Sequence, residues 1–172
     1  MTEQGQPWTR FPPKMQVCVG SVVLRENKVL LARQTYGKTL KNKWTLPWGF
    51  VQGEDAQTYY DPPHVAALRE TLEEAGVVAE VDGLLGMQTA RKSKEGDPRL
   101  YLLFLCHHVS GEPNPDGRET DRAAYMSLDE LEELQEDVDR FCYWLATRVL
   151  QGQYTLVTPE PENPYTPHLA FL

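Results

Sequence analysis

The chain has no apolar run near the roughly 18 residues of a spanning helix, so a membrane-embedded protein is not expected. Its opening residues, MTEQGQPWTRFPP, lack the apolar stretch of a signal peptide, and a cytoplasmic protein is the expectation. Cysteine is scarce. Cys18, Cys106 and Cys142 are odd in number and their spacing suits neither a disulfide framework nor a zinc site. Each is expected to fill core space. Positive charge is short too: 17 Lys and Arg against 25 Asp and Glu leave −8 at pH 7. A broadly basic nucleic-acid footprint is thereby excluded. An acidic protein that handles phosphates needs cations from solvent or a few placed Arg and Lys. No repeat is visible, and 172 residues fit one domain with a sizeable core.

What is present is a mixed pattern of elements. Residues 1–14 carry Pro7, Pro12 and Pro13 and read as an extended lead-in. β-Branched runs predict strands at about 16–25 and 28–34, with REN at the turn between them. A polar loop (35–43) leads to a short strand broken by Pro47, Gly49 and Gly53. A helix is expected over 62–75, with Asp61 as N-cap, Pro62 at N1 and Gly76 as the C′ glycine. Further strands are expected near 77–90 and 99–109, and SGEPNPDGRETD (110–121) is a loop by composition. AAYM reads as a strand and SLDELEEL as a helix with a capping box. A last helix over about 136–150 places Phe141, Trp144, Leu145 and Val149 at core spacing. Residues 15–150 are thus one domain, and 151–172 a Pro-rich tail expected to run extended along the surface. The order argues for an α+β fold or a mixed sheet rather than a doubly wound one.

The helix holds the chemistry. Each residue turns it by about 100°, so Glu74 lies about 40° and Glu73 about 60° to either side of Glu70. Val65, Leu68, Leu72 and Ala75 fall within about 40° of the opposite pole and are expected to face the core. Three carboxylates thus share an arc of roughly 100° near the helix end whose dipole disfavours them. A solvated acidic face is the plain alternative. A hard divalent cation such as Mg²⁺ removes both the like-charge and the dipole penalties, since it takes oxygen ligands and binds through carboxylates and substrate phosphates. Arg69 flanks the arc and can hold one carboxylate bidentately.

GFVQGE (49–54) followed by AALRETLEEAGV (66–77) resembles the Nudix box, G-x5-E-x7-R-E-U-x-E-E-x-G-U with U aliphatic. Arg69, Glu70, Glu73, Glu74 and Gly76 fall in place; Thr71 stands where an aliphatic residue is usual. Gly49 to Glu54 is one residue short, and fourteen residues rather than seven separate Glu54 from Arg69, the excess carrying TYYDPPH. KWTLPWGFV, with Trp48 in place of a common Gly, the opening VGSVVLRENKVLLARQ and the later YMSLDEL are similar to the family's flanking segments.

The resemblance implies an α/β/α sandwich around a mixed sheet. It also implies hydrolysis of a nucleoside diphosphate linked to another moiety, with Mg²⁺ or Mn²⁺ as cofactor. It makes Glu70 and Glu74 the principal metal ligands, Glu73 a further one, and the Gly49 carbonyl a completing donor. Arg69 would orient Glu70, Glu54 would pair with Arg69, and Glu119 or Glu73 would be the general base. The partner implied is a small-molecule nucleotide, with no nucleic acid and no membrane; a homodimer is compatible with it. A module that binds a nucleotide without cleaving it is the alternative. An interaction domain with an acidic face and no metal affinity is another. Candidate substrate contacts are Arg33 for phosphate, and Trp48, Phe50, Tyr59 and Tyr60 for stacking on a base. Arg91, Lys92 and Lys94 sit in a hairpin loop with similar potential, and His64 stands beside the metal helix. For each aromatic, core packing is the plain alternative.

Overall fold

The computed structural model describes residues 15–51, 61–91, 98–160, 162, 164 and 169–172. A mixed sheet organises it. β1 (Gln16–Arg25) and β2 (Lys28–Gln34) form the predicted hairpin. Glu26 and Asn27 both take positive φ, the primed geometry that matches the twist of paired strands. β3 (Trp44–Thr45) extends the sheet beyond β2, and β4 (Trp48–Phe50) lies antiparallel to the start of β1. The helix α1 (Pro63–Ala75) follows, then β5 (Val78–Arg91) and β6 (Pro98–Ser110) as a long antiparallel pair. β6 runs parallel to β1 and β7 (Thr120–Met126) antiparallel to β2. The strand path is β3-β2-β1-β6-β5, with β4 on β1 and β7 on β2.

Each face of this sheet carries a helix over its own apolar cluster. On one side α3 (Arg140–Leu150) sets Leu145 and Val149 against Val22, Leu31 and Leu103. On the other, α1 sets Ala66 and Ala75 against Val19, Leu30 and Phe104. This is the expected sandwich of helices around a mixed sheet. Between β7 and α3 lies α2 (Leu128–Glu133) with the predicted capping box: the Glu130 amide donates to Ser127 Oγ at 3.3 Å and the Ser127 amide to Glu130 Oε2 at 2.7 Å. Cys18 and Cys106 are fully buried and no cysteine is bonded. Among the described residues no helix is long and apolar enough to cross a membrane.

Three expectations about packing and exposure fail. The tail does not simply run along the surface. The Val157 amide donates to Leu84 O and the Leu84 amide to Val157 O, at 3.0 and 2.8 Å, and β8 (Pro159–Glu160) pairs with β9 (Ala170–Phe171). Gly83 permits this approach: a Cβ there would lie 2.6 Å from Val157 O. The Phe171 ring comes 5.6 Å from that of Phe104 and 6.1 Å from that of His64, so apolar burial ties the tail back to the α1 face. Trp144, assigned to the core by its spacing, is 53% exposed. The rotation of α1 is also different. Val65 and Leu72 are 39% and 52% exposed, whereas Thr71 and Glu74 are buried.

Candidate functional site

That rotation builds the site. It carries Glu70 and Glu74 toward β4 and β2 rather than into solvent. Thr71 fixes it: its hydroxyl lies 2.6 Å from Ser21 Oγ on β1 and donates to Ala67 O at 2.7 Å. An aliphatic residue at 71 would leave the buried Ser21 hydroxyl without this partner, so the departure from the usual pattern meets a polar partner in the sheet.

Glu74 is 2% exposed. Its Oε2 accepts the Trp48 backbone amide at 3.0 Å and its Oε1 accepts Gln34 Nε2 at 3.2 Å. Burial nonetheless dominates and pushes this carboxyl up to about 8, with the charges of Glu70 and Glu119 acting in the same direction. Glu70 is also raised, first by burial, with Arg69 opposing and Glu73 and Glu119 adding. Its carboxylate rests on Gly49. A Cβ at that position would lie 2.0 Å from Glu70 Cδ, so only glycine admits the acid there.

Arg69 spreads over the rim. Its Nη1 donates to Glu70 Oε1 and Glu73 Oε2, both at 3.0 Å, and Nη2 donates to the Phe50 carbonyl at 3.1 Å. Nε donates to Asp61 Oδ2 at 3.1 Å. Asp61 was expected to cap α1. Instead the N-cap is Pro62, with no side-chain cap, and Asp61 serves as a carboxylate partner of Arg69. Glu54, expected in that role, lies outside the described residues, as do Tyr59 and Tyr60.

Glu119 is brought in from the far end of the sheet. Asp116 accepts the amides of Arg118, Glu119 and Thr120, and Thr120 Oγ1 donates to the Glu74 carbonyl at 2.6 Å. The Thr35 amide donates to Glu119 O at 2.8 Å. This loop is therefore pinned to the C-terminal end of α1. The Glu119 carboxylate accepts Tyr36 Oη at 3.3 Å, and burial with this acid beside it raises the Tyr36 phenol. Gly76 closes α1 at φ 69°, where a Cβ would meet Asn114 O at 2.8 Å.

The remaining candidates divide. Trp48 serves the site through its amide, while its ring packs 6.1 Å from Phe50 and 6.4 Å from Tyr101. Arg33 is held bidentately by Asp121 at 2.8 and 2.6 Å, so its guanidinium is engaged by protein. Sequence reasoning missed Gln34, Ser21, Asp61, Asp116 and Thr120. Gln34, Ser21 and Thr120 act through hydrogen bonds to α1 from distant parts of the chain, which no local spacing announces, whereas Asp116 accepts amides two to four residues on in a local turn.

The donor set suits a hard divalent ion. Glu70, Glu74, Glu73 and the Gly49 carbonyl all offer oxygen. Gln34 Oε1 is a further buried oxygen without a hydrogen-bond partner among the described residues. A buried carboxyl and a half-buried one beside it, both raised by burial, gain most from a cation. Among the described residues no three acidic, His or Cys side chains already converge as a ligand set. Arg69 holds Glu70 and Glu73 at the rim.

Residues 14–145 match the NUDIX domain model. The chain is 29% identical over 128 residues to an ADP-ribose pyrophosphatase of Methanocaldococcus jannaschii, covering 72% of this chain and 69% of that one. It is 29% identical over 127 residues to a MutT-like protein of Streptomyces ambofaciens, covering 74% and 73%. A solved NUDIX hydrolase of Nitrosomonas europaea superposes with a TM-score of 0.65 at 26% identity, covering 83% of this chain and 73% of that one. The box residues, the sandwich and these matches agree, and the chain belongs to the Nudix family.

Proposed function

We propose that the protein is a divalent-cation-dependent pyrophosphohydrolase that cleaves a nucleoside diphosphate linked to another moiety. The observation that carries this reading is the inward turn of α1, which buries Glu74 against the Trp48 amide and seats Glu70 on Gly49. Burying one acid with a second half-buried beside it is costly for a structural helix. It is useful where a cation is to be held.

Glu70 and Glu74 would hold Mg²⁺ or Mn²⁺, with Glu73 and the Gly49 carbonyl as further donors. When bound, such an ion supplies charge neutralisation at the pyrophosphate and acidifies a water. Arg69 orients Glu70 and Glu73 through its shared Nη1, and Asp61 steadies Arg69 from the other side. Glu119, on a loop anchored to α1 through Thr120, accepts the proton of the attacking water; Glu73 is the other group within the arc able to do so. Trp48 and Phe50 flank Gly49 on β4 with their rings 6.1 Å apart, and we assign them to contact the substrate's organic part. A single chain's acidity of −8 is then no obstacle, because the cations come from solvent.

ADP-ribose is the first substrate to test, on the strength of the archaeal relative. The experiment is a panel of nucleoside diphosphate derivatives, including ADP-ribose, dinucleoside polyphosphates and nucleotide sugars, with Mg²⁺ or Mn²⁺. The expected result is release of a nucleoside monophosphate from at least one, abolished by EDTA. No cleavage of any member with either ion contradicts the reading.

A further inference from the structure

An irregularity in the sheet lies beside the acids, between β2 and β7. Arg33 pairs with Arg122, but the next residue of β2, Gln34, pairs with Thr120, so Asp121 is an extra residue on β7. This is a β-bulge, and a bulge re-aims the side chains next to it. On β7, Ala123 and Tyr125 pack on the α1 side, Ala124 and Met126 on the α3 side. Strict alternation would therefore turn residue 121 toward α1 and residue 120 away from it. The bulge exchanges them. Thr120 is fully buried, and its Oγ1 donates to the Glu74 carbonyl at 2.6 Å. On β2, Leu30 packs toward α1 and Leu31 away from it, so Gln34 faces α1 and Arg33 the opposite side. Asp121 turns to Arg33 and accepts its Nε and Nη2 at 2.8 and 2.6 Å.

Charge favours this arrangement. Arg33 and Arg122 are cross-strand partners, and like charges directly opposite repel. Asp121 answers both: the Arg33 hydrogen bond holds its carboxyl below the usual carboxylate range, and the Arg122 charge adds to the effect. A bidentate guanidinium–carboxylate pair is the kind of surface ion pair that does hold geometry. The bulge in turn places the acids. Gln34 donates to Glu74 Oε1 at 3.2 Å while its strand partner Thr120 holds the Glu74 carbonyl, so one pair grips that residue at side chain and backbone. Glu119, next in line, sets its carbonyl on the Thr35 amide and its carboxylate on Tyr36 Oη.

We infer that Arg33 and Asp121 are positioning residues, a clasp that locks the bulge and so docks Glu119 against the C-terminal end of α1. What Glu119 does there rests on the proposed hydrolysis; the docking does not. The test therefore has one readout without turnover, amide hydrogen exchange by NMR. The Thr35 amide reports the docked loop. Asp121→Ala and Arg33→Ala should each speed its exchange about tenfold, because a charge-assisted pair is lost at a local opening. The Val22 amide, central in β1, should not change. In the hydrolysis assay kcat should fall about tenfold, as a displaced general base requires. KM and the calorimetric Mg²⁺ affinity should hold, since the carboxylate contacts of Glu74 remain. Reversing the pair, Arg33→Glu with Asp121→Arg, should recover part of both losses. Asp121→Asn replaces Asp121→Ala should the latter misfold. A Thr35 amide unmoved in both single variants overturns the inference. Equal acceleration at Thr35 and Val22 also overturns it, since the pair would then only stabilise the fold. If wild type cleaves nothing and Thr35 responds as stated, the hydrolytic reading fails and the clasp stands.

Discussion

The helices α1 and α3 cover opposite faces of one sheet and are built by opposite rules. α3 starts at Asp139, whose carboxylate accepts the Phe141 and Cys142 amides at 3.0 and 3.1 Å, and it carries Arg148 in its last turn. It buries Leu145, Ala146 and Val149. α1 has no side-chain cap and no acid in its first turn; its acids crowd the end where the dipole disfavours them. It buries Thr71 and Glu74 and exposes Leu72. α3 is shaped by packing. α1 is shaped by what its inward face must hold, and the sheet supplies the compensations: Gly49, the Trp48 amide, Gln34 and Ser21.

The sharpest way to break the contrast is to neutralise the buried acid. Glu74→Gln should lower kcat by about a hundredfold or more, because a metal-held water supplies several kcal/mol of barrier reduction. The fold should survive, since Gln keeps the shape. Activity within about threefold of wild type contradicts the role. On α3 the mirror experiment is Leu145→Ala. It should cost about 2–5 kcal/mol of stability, read by denaturant unfolding, while kcat per folded molecule changes little. A loss of less than about 1 kcal/mol would mean that α3 contributes little to the core.

These two helices also mark how far the sequence could be read. The strands, the hairpin turn at Glu26–Asn27, the capping box and the box acids are local patterns, and local patterns are legible. The family resemblance rested on them. The direction in which α1 faces was not legible. Periodicity put Leu72 inward and the acids outward, on the rule that apolar residues pack. The rule loses here to hydrogen bonds from three other elements, and such partners lie 26, 40 and 50 residues away in sequence. Asp61 misled for a related reason. Next to Pro62 it has the form of a cap, yet Arg69, two turns on, is the stronger partner. Trp144 failed through position alone: it stands at core spacing, but on the exposed side of α3.

A finer probe of the compensation is Thr71→Val. It restores the usual aliphatic residue and leaves the buried Ser21 hydroxyl unpaired, which should cost about 1–3 kcal/mol. Adding Ser21→Ala should recover part of that loss. If the single change stabilises the protein, the Ser21–Thr71 pair is not what fixes the helix.

The smallest effect expected is a pH slope. Glu74 ionises near 8 in the fold rather than at its ordinary 4.5. Between those values the metal-free folded protein binds more protons than the unfolded chain, so stability falls as pH rises across that window. Glu74→Gln has no such slope. Its Tm advantage over wild type, measured in EDTA, should be larger at pH 8 than at pH 5. An unchanged difference contradicts the burial-driven shift.

The most direct test of the account is calorimetric titration of Mg²⁺ into the protein at pH 7, repeated in two buffers of different ionisation enthalpy. Wild type should bind the ion and release protons to the buffer, as Glu74 gives up the proton that burial keeps on it. The Glu70→Gln/Glu74→Gln variant, folded by circular dichroism, should bind at least tenfold more weakly and release none. Equal affinity in the two proteins would contradict the assignment of the inward acids of α1 as the seat of a divalent cation.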